Sequence, residues 1–566
     1  MKHNIAIPEE KFDEIFASKL RFVNLIDEDF DGYKDLAEGD KKALKYLVRA
    51  AKIMNEVSLE QDNPMNRALK KELEQEAVNS SHAAKALRLF NCFNGAAGHN
   101  GIDQDPIEIF EDVKLLPGKN FYPQDLSPEE FHNILKGMLK SGQAENVKNI
   151  LSARTMVRRD GKGGLKSIDY TEYFKDEFSR IANELELAAH YSTNNEFNEY
   201  LGWQAQALLQ NNEDMDMLAD KHWAVLQDTP LEFTISRENY DDEITGTVLE
   251  DSELKALLEE ANITPIAKDM LGARVGIINK KGTDLLLTFK EQMKNLASLM
   301  PYSDKYQQTI ASGDQLKQTM VDVDLVALCG DFAQCRGGIT TAENLPNDDK
   351  LSVKMGGGRR NVYHRQVRMS HDPERDKRLL NALVSEGLHQ YYDHDSDHIF
   401  VIGHENGHSL GPDSSYKDAL GNYRHIMEEN KADVVSVVMM PEYVKSGVIS
   451  EDMLKKIYVT WIIRCFSKAK PIESHRVGDL IHFNYLLEHG VIWFNSENKM
   501  ELDFAKLPKV LEELLAETID IQLSRSPLKA KEWIDKYTKW EDLQIYVADM
   551  LQKLGIKNYI EIKAHF

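Results

Sequence analysis

The chain is poor in three things, and each shortage excludes something. No stretch approaches about eighteen uninterrupted apolar residues, so no transmembrane helix is expected. The opening residues, MKHNIAIPEEKFDEIF, hold no apolar core ahead of their acidic side chains, so a secretory signal is not expected and a cytoplasmic location follows. Cysteine is scarce, with four in 566 residues (Cys92, Cys329, Cys335 and Cys465). The nearest pair is spaced C-x5-C, which fits no zinc ribbon, and free thiols in a reducing compartment are the simplest reading. Positive charge is also in short supply, with 69 Lys and Arg against 93 Asp and Glu and a formal net charge of −24. Phosphate binding needs clustered cations, and the basic patches here are short, such as Arg359-Arg360. Neither nucleic acid nor a membrane is an expected partner.

What is present fits an ordinary globular protein, with 42% hydrophobic and 29% charged residues. A chain this long exceeds one hydrophobic core, so two or more lobes are expected. Over residues 1–230, segments such as DKKALKYLVRAAKIMNEV and DYTEYFKDEFSRIANELELAAHY space their apolar residues by three and four, which predicts helices. GKGG at 161–164 marks a loop. Near 231–290 the runs LEFTI, RVGII and DLLLTF predict strands. Helical periodicity returns near 288–320. Residues 322–375 are rich in Gly, Asn and Asp and predict long functional loops. From 376 to 560 the pattern is again mainly helical, with a helix end expected at Pro441.

The chemistry concentrates in His404-Glu405-Asn406-Gly407-His408, an HExxH motif. On a helix, residues four apart share a face, so two imidazoles can reach one Zn²⁺ at about 2.0–2.1 Å. The intervening Glu405 can then serve as general base toward a water on the metal. Asn406 and Gly407 are poor helix formers, an inconsistency of the kind expected at a functional site. A catalytic zinc needs a third protein ligand. Glu428 and Glu429 lie 20 and 21 residues beyond His408, where an adjacent helix could supply it. Asp433 follows Glu429 by four residues and faces the same side. Because zinc-bound histidines usually donate their second N–H to a carboxylate, Glu429 is assigned as ligand, with Asp433 and Glu428 as the carboxylates behind the histidines.

At these residues the sequence resembles the dipeptidyl peptidase III metallopeptidases, whose paired motifs are HExxGH and EECRA(E/D). Here they stand as HENGH at 404–408 and EENKAD at 428–433. The first is one residue shorter than the usual form, as in a minority of family members. Asn344-Leu345-Pro346-Asn347-Asp348-Asp349 is similar to the family's N-I-P-N-Y-D-D loop, and Glu238-Asn239-Tyr240 to its E-x-Y element. His475 falls where the family has a histidine in the catalytic cleft. Asp479, four residues on, stands where the family often has Arg. The matching region runs from roughly residue 165 to 560.

The resemblance implies an α+β protein of two lobes separated by a wide cleft. One is a mixed lobe with a small β-barrel, expected over 1–282 and joined by 535–566. The other is a mostly helical lobe carrying the zinc, expected over 283–534. It implies one Zn²⁺ per chain and short peptides with a free N-terminus as partners. In that reading Glu238 and Asn347 hold the N-terminal amine, Asn344 holds the peptide backbone, and Tyr240 with His475 stabilises the transition state. The expected activity is release of dipeptides from the N-terminus. Two alternatives stand beside it: a zinc aminopeptidase or amidohydrolase of shifted specificity, and a peptide-binding homologue with weak turnover.

Overall fold

The computed structural model describes residues 2–99, 106–239, 242–307, 319–330, 342–345, 359–369, 371–466, 474–554 and 559–566. The chain divides into two compact units. One comprises residues 1–278, 324–339 and 557–566, and the other residues 279–323 and 340–556. Among the described residues no helix is long and apolar enough to cross a membrane.

In the first unit strand β1 (Leu20–Asn24) leads to α1 (Glu38–Asp62), whose Leu44, Leu47, Val48, Ala51 and Met54 form a buried stripe of helical period. A hairpin of β2 (Thr155–Arg159) and β3 (Leu165–Asp169) is closed by the GKGG segment. There Asp160 accepts backbone N–H bonds from Lys162 and Gly164. Helix α2 (Lys175–Tyr191) packs along α1. Helix α3 (Asn195–Gln210) begins where the Asn194 side chain accepts the N–H of Phe197, and it ends on Asn211 in the left-handed region. LEFTI and RVGII form β4 (Leu231–Asn239) and β5 (Asp269–Asn279), an antiparallel pair in which Glu238 stands opposite Met270. Nearly every residue of β5 is buried, which accounts for its unbroken apolar reading.

The second unit opens with α4 (Lys280–Glu291). DLLLTF, expected as a strand, lies within this helix. The Asn279 side chain caps it, and Thr283, Leu286 and Phe289 are buried at three-residue spacing. A short apolar run carries no period of its own, so the cap decides.

Strand β6 (Thr319–Gly330) runs from this unit into the first, so part of the segment expected as loop is a buried strand. Its first residues pair with β8 (Arg359–Val362) in parallel, and β8 pairs antiparallel with β7 (Ala342–Leu345). The helices α5 (Ser396–His408), α6 (Arg424–Lys445), α7 (Glu451–Phe466), α8 (Ser474–Glu488) and α9 (Leu507–Ser524) then build one large core. Phe400, Met427, Val434, Trp461, Ile481 and Leu514 are among its buried members. Helix α6 continues four residues past Pro441 rather than stopping there. A last strand, β9 (Tyr559–Lys563), pairs in parallel with β1.

Candidate metal centre

Helix α5 is buried over most of its length, from His398 to Gly407 except Ile399, and packs closely against α6. The closeness depends on glycine. A Cβ at Gly407 would lie 2.7 Å from the Ala432 carbonyl oxygen and 2.9 Å from its Cα, a clash with backbone that no rotamer relieves. Two α5 turns earlier, the Ser436 hydroxyl donates to the Phe400 carbonyl at 2.8 Å. The helix propensity lost at Gly407 is therefore exchanged for the approach that brings the two motif-bearing helices together. Gly407→Ala should destabilise the fold by about 1–3 kcal/mol. Equilibrium denaturation of the full chain measures this, and an unchanged midpoint would contradict the packing.

The approach sets His404 and His408 against α6. His404 Nδ1 donates to Asp433 Oδ1 at 2.7 Å, and His408 Nδ1 donates to Glu428 Oε1 at 3.0 Å. Both Nε2 atoms consequently turn toward each other, 3.1 Å apart. Glu429 Oε2 lies 3.5 Å from the first and 3.7 Å from the second. The two rings are perpendicular, so one point can lie in both ring planes. Ligands about 2.0–2.1 Å from a tetrahedral zinc stand about 3.3 Å apart, close to these three separations. Two ring nitrogens and a carboxylate oxygen crowded together in this way need a proton or a cation between them. The donor set fits zinc, with Asp433 and Glu428 fixing the tautomers.

The electrostatics agree with the geometry. Burial opposes charge on His404, but the hydrogen bond and charge of Asp433, with Glu429 and Glu405, raise its pKa to about 10. Burial also opposes ionisation of Asp433, yet His404 holds it far below the usual carboxylate range. Glu428 is likewise held low despite burial, by the charge of Lys431 and the bond to His408. Lys431 is itself buried, with its ammonium 2.9 Å from Glu428 Oε1. In the absence of metal these neighbours favour the protonated form of His404, whereas a ligand must be neutral. Zinc uptake near pH 7.5 should release about one proton, and affinity should fall as pH falls. Calorimetry in buffers of different ionisation enthalpy measures the release, and uptake without proton exchange would contradict it.

Glu405 is buried on the same helix. Beside it stands a residue that sequence reasoning passed over. Arg359 and Arg360, read as a short basic patch, are both buried on β8, 0% and 1% exposed. Arg360 donates to Asn406 Oδ1 at 2.6 Å and to the Ser409 hydroxyl, which explains the asparagine within the motif. Burial lowers the Arg360 pKa to about 10, against the supporting charge of Glu405. The only signal in the sequence is the pair of arginines itself, followed by Asn361 and Val362.

The remaining candidates are placed less fully. Glu238 lies on β4 and Asn344 on β7, where it stands opposite Arg360, and His475 lies in the first turn of α8. Only the backbone of these three is described. Tyr240 and Asn347 lie outside the described residues. Asp479, on α8, is buried, with Arg464 Nε 4.0 Å from its carboxylate.

No family model matches the chain. A curated plant protein, Nudix hydrolase 3 of Arabidopsis thaliana, is 26% identical over 559 residues, covering 89% of this chain and 68% of that protein. Among solved structures, DPP III from Caldithrix abyssi matches with a TM-score of 0.79 at 24% identity, over 98% of each chain. Dipeptidyl-peptidase III from Corallococcus sp. strain EGB matches with a TM-score of 0.72 at 19% identity, over 99% of this chain and 97% of the other. The chain has the fold of these dipeptidyl-peptidase III structures over nearly its whole length.

Proposed function

We propose that this chain is a zinc-dependent exopeptidase that releases dipeptides from the N-terminus of short peptides. The observation that carries the reading is the convergence of His404 Nε2, His408 Nε2 and a Glu429 oxygen, each histidine backed by its own carboxylate. The fold shared with dipeptidyl-peptidase III supports the substrate class.

In this reading His404, His408 and Glu429 would hold one zinc, which when bound supplies Lewis acidity to a water and to the scissile carbonyl. Glu405 would accept a proton from the attacking water and return it toward the leaving amine. Asp433 and Glu428 keep each histidine in the ligating tautomer. Arg360 and Asn406 fix the turn of α5 on which Glu405 sits. Glu238 and Asn347 bind the peptide's α-ammonium, Asn344 binds its backbone, and Tyr240 with His475 donates to the developing oxyanion.

A chelator should abolish hydrolysis of short free-amine peptides by the full chain, and added zinc should restore it. Undiminished hydrolysis after metal removal would overturn the reading.

A further inference from the structure

A second group of ligating side chains meets between α7 and α8. Cys465 is the penultimate residue of α7, and Asp479 and His482 lie three residues apart on α8 and so share a face. One ligand atom from each lies within 4.8 Å of the other two. All three residues are buried.

The hydrogen bonds around His482 fix its tautomer. The Thr518 hydroxyl donates to the Leu514 carbonyl at 2.8 Å, so it accepts from the Asn430 amide nitrogen at 2.9 Å. That orientation turns Asn430 Oδ1 to His482 Nε2 at 3.0 Å. An amide oxygen can only accept, so Nε2 carries the proton and Nδ1 of the neutral ring carries the lone pair. Nδ1 faces Cys465 Sγ at 4.0 Å. A ring whose one N–H is anchored and whose other nitrogen is presented to a thiol is arranged as metal-binding histidines are. From zinc bond lengths of about 2.3 Å to sulfur and 2.0–2.1 Å to nitrogen, the two ligand atoms would stand about 3.6 Å apart, a small adjustment from here.

An independent observation points the same way. Cys465 and Asp479 also line a small cavity of about 20 Å³, room for roughly one water-sized occupant, partly open to solvent. Its walls include Arg476, Trp540 and Ala548, which are partly exposed and give an ion a way in. Charge selects the occupant, because a thiolate and a carboxylate together balance a divalent cation. Arg464, near Asp479, also lies 3.4 Å from Asp397, which shares its charge. A thiolate ligand favours zinc or cadmium over magnesium or calcium.

We propose that Cys465, Asp479 and His482 form a second divalent-cation site, separate from the His404, His408 and Glu429 centre, that takes a thiophilic cation such as Zn²⁺. Binding forms bonds from the cation to Sγ, Nδ1 and a carboxylate oxygen, and the thiol proton passes to solvent. Through His482 and Asn430 the site touches α6 one residue beyond Glu429.

Cobalt(II), added to the full chain after chelator treatment, is the probe. The expected result is a near-ultraviolet sulfur-to-cobalt charge-transfer band, which a centre built from two histidines and a glutamate cannot give. Cys465→Ser should lose the band, Glu429→Ala should keep it, and Asp479→Asn should weaken the cobalt affinity of the band at least about tenfold. The band reports the thiol site alone, so failure of the first centre would leave this test intact. Absence of the band in the wild-type chain, which no folding defect of a variant can explain, would overturn the proposal. Its persistence in Cys465→Ser would do the same.

Discussion

Glu405→Ala should lower peptide turnover by about 10²–10⁴-fold or more while the protein keeps its zinc. Two features make the effect large. Glu405 sits between the two histidines of the motif, on a helix held by Arg360 and by the close approach at Gly407. It is also absent from the set of converging ligand atoms, so its loss leaves His404, His408 and Glu429 in place. Metal analysis alongside steady-state kinetics separates the two roles. Full activity in the variant would show that another group activates the water, and loss of zinc with activity would show that Glu405 serves the metal instead.

The second large effect lies on α6. Glu429→Ala should lose zinc outright, because it removes the only carboxylate within reach of both Nε2 atoms among the described residues. Asp433→Ala and Glu428→Ala should each weaken zinc by about 10–100-fold, the usual size of an effect exerted through a ligand's tautomer and orientation. Each of these two residues is bonded to the Nδ1 of one histidine, and neither is placed among the ligand atoms. Zinc titration of the three variants decides the order. If Glu428→Ala lost the metal while Glu429→Ala retained it, the ligand register on α6 would be off by one residue.

The parts of this centre legible in the sequence are those that a helical period writes into it. His404 and His408 are four apart, as are Glu429 and Asp433, and each pair shares a face wherever the helix lies. The oddity of Asn406 and Gly407 was visible too, but its cause was not. Gly407 is explained by the backbone of Ala432 and Asn406 by the guanidinium of Arg360, and both contacts come from distant segments. Arg360 read as surface charge because a strand buried on both sides has no pattern that marks an ion pair or hydrogen bond in advance. DLLLTF read as a strand because six residues hold too little period, and the Asn279 cap that settles it lies just outside the run. Pro441 read as a helix end, yet α6 continues to Lys445, since a proline near the last turn removes little of the hydrogen-bond ladder. The group of Cys465, Asp479 and His482 was illegible because its members sit on two helices and meet only through packing.

The proposed activity requires cleavage two residues from a free N-terminus. A carboxylate pairing with the α-ammonium gives such an enzyme its ruler, and Glu238 is assigned that part. Mass spectrometry of a digest of one short peptide, presented with a free and with an acetylated N-terminus, tests it most directly. A dipeptide-releasing peptidase gives N-terminal dipeptides from the free peptide and does not cleave the acetylated one. Release of single residues, or equal cleavage of both forms, would contradict it.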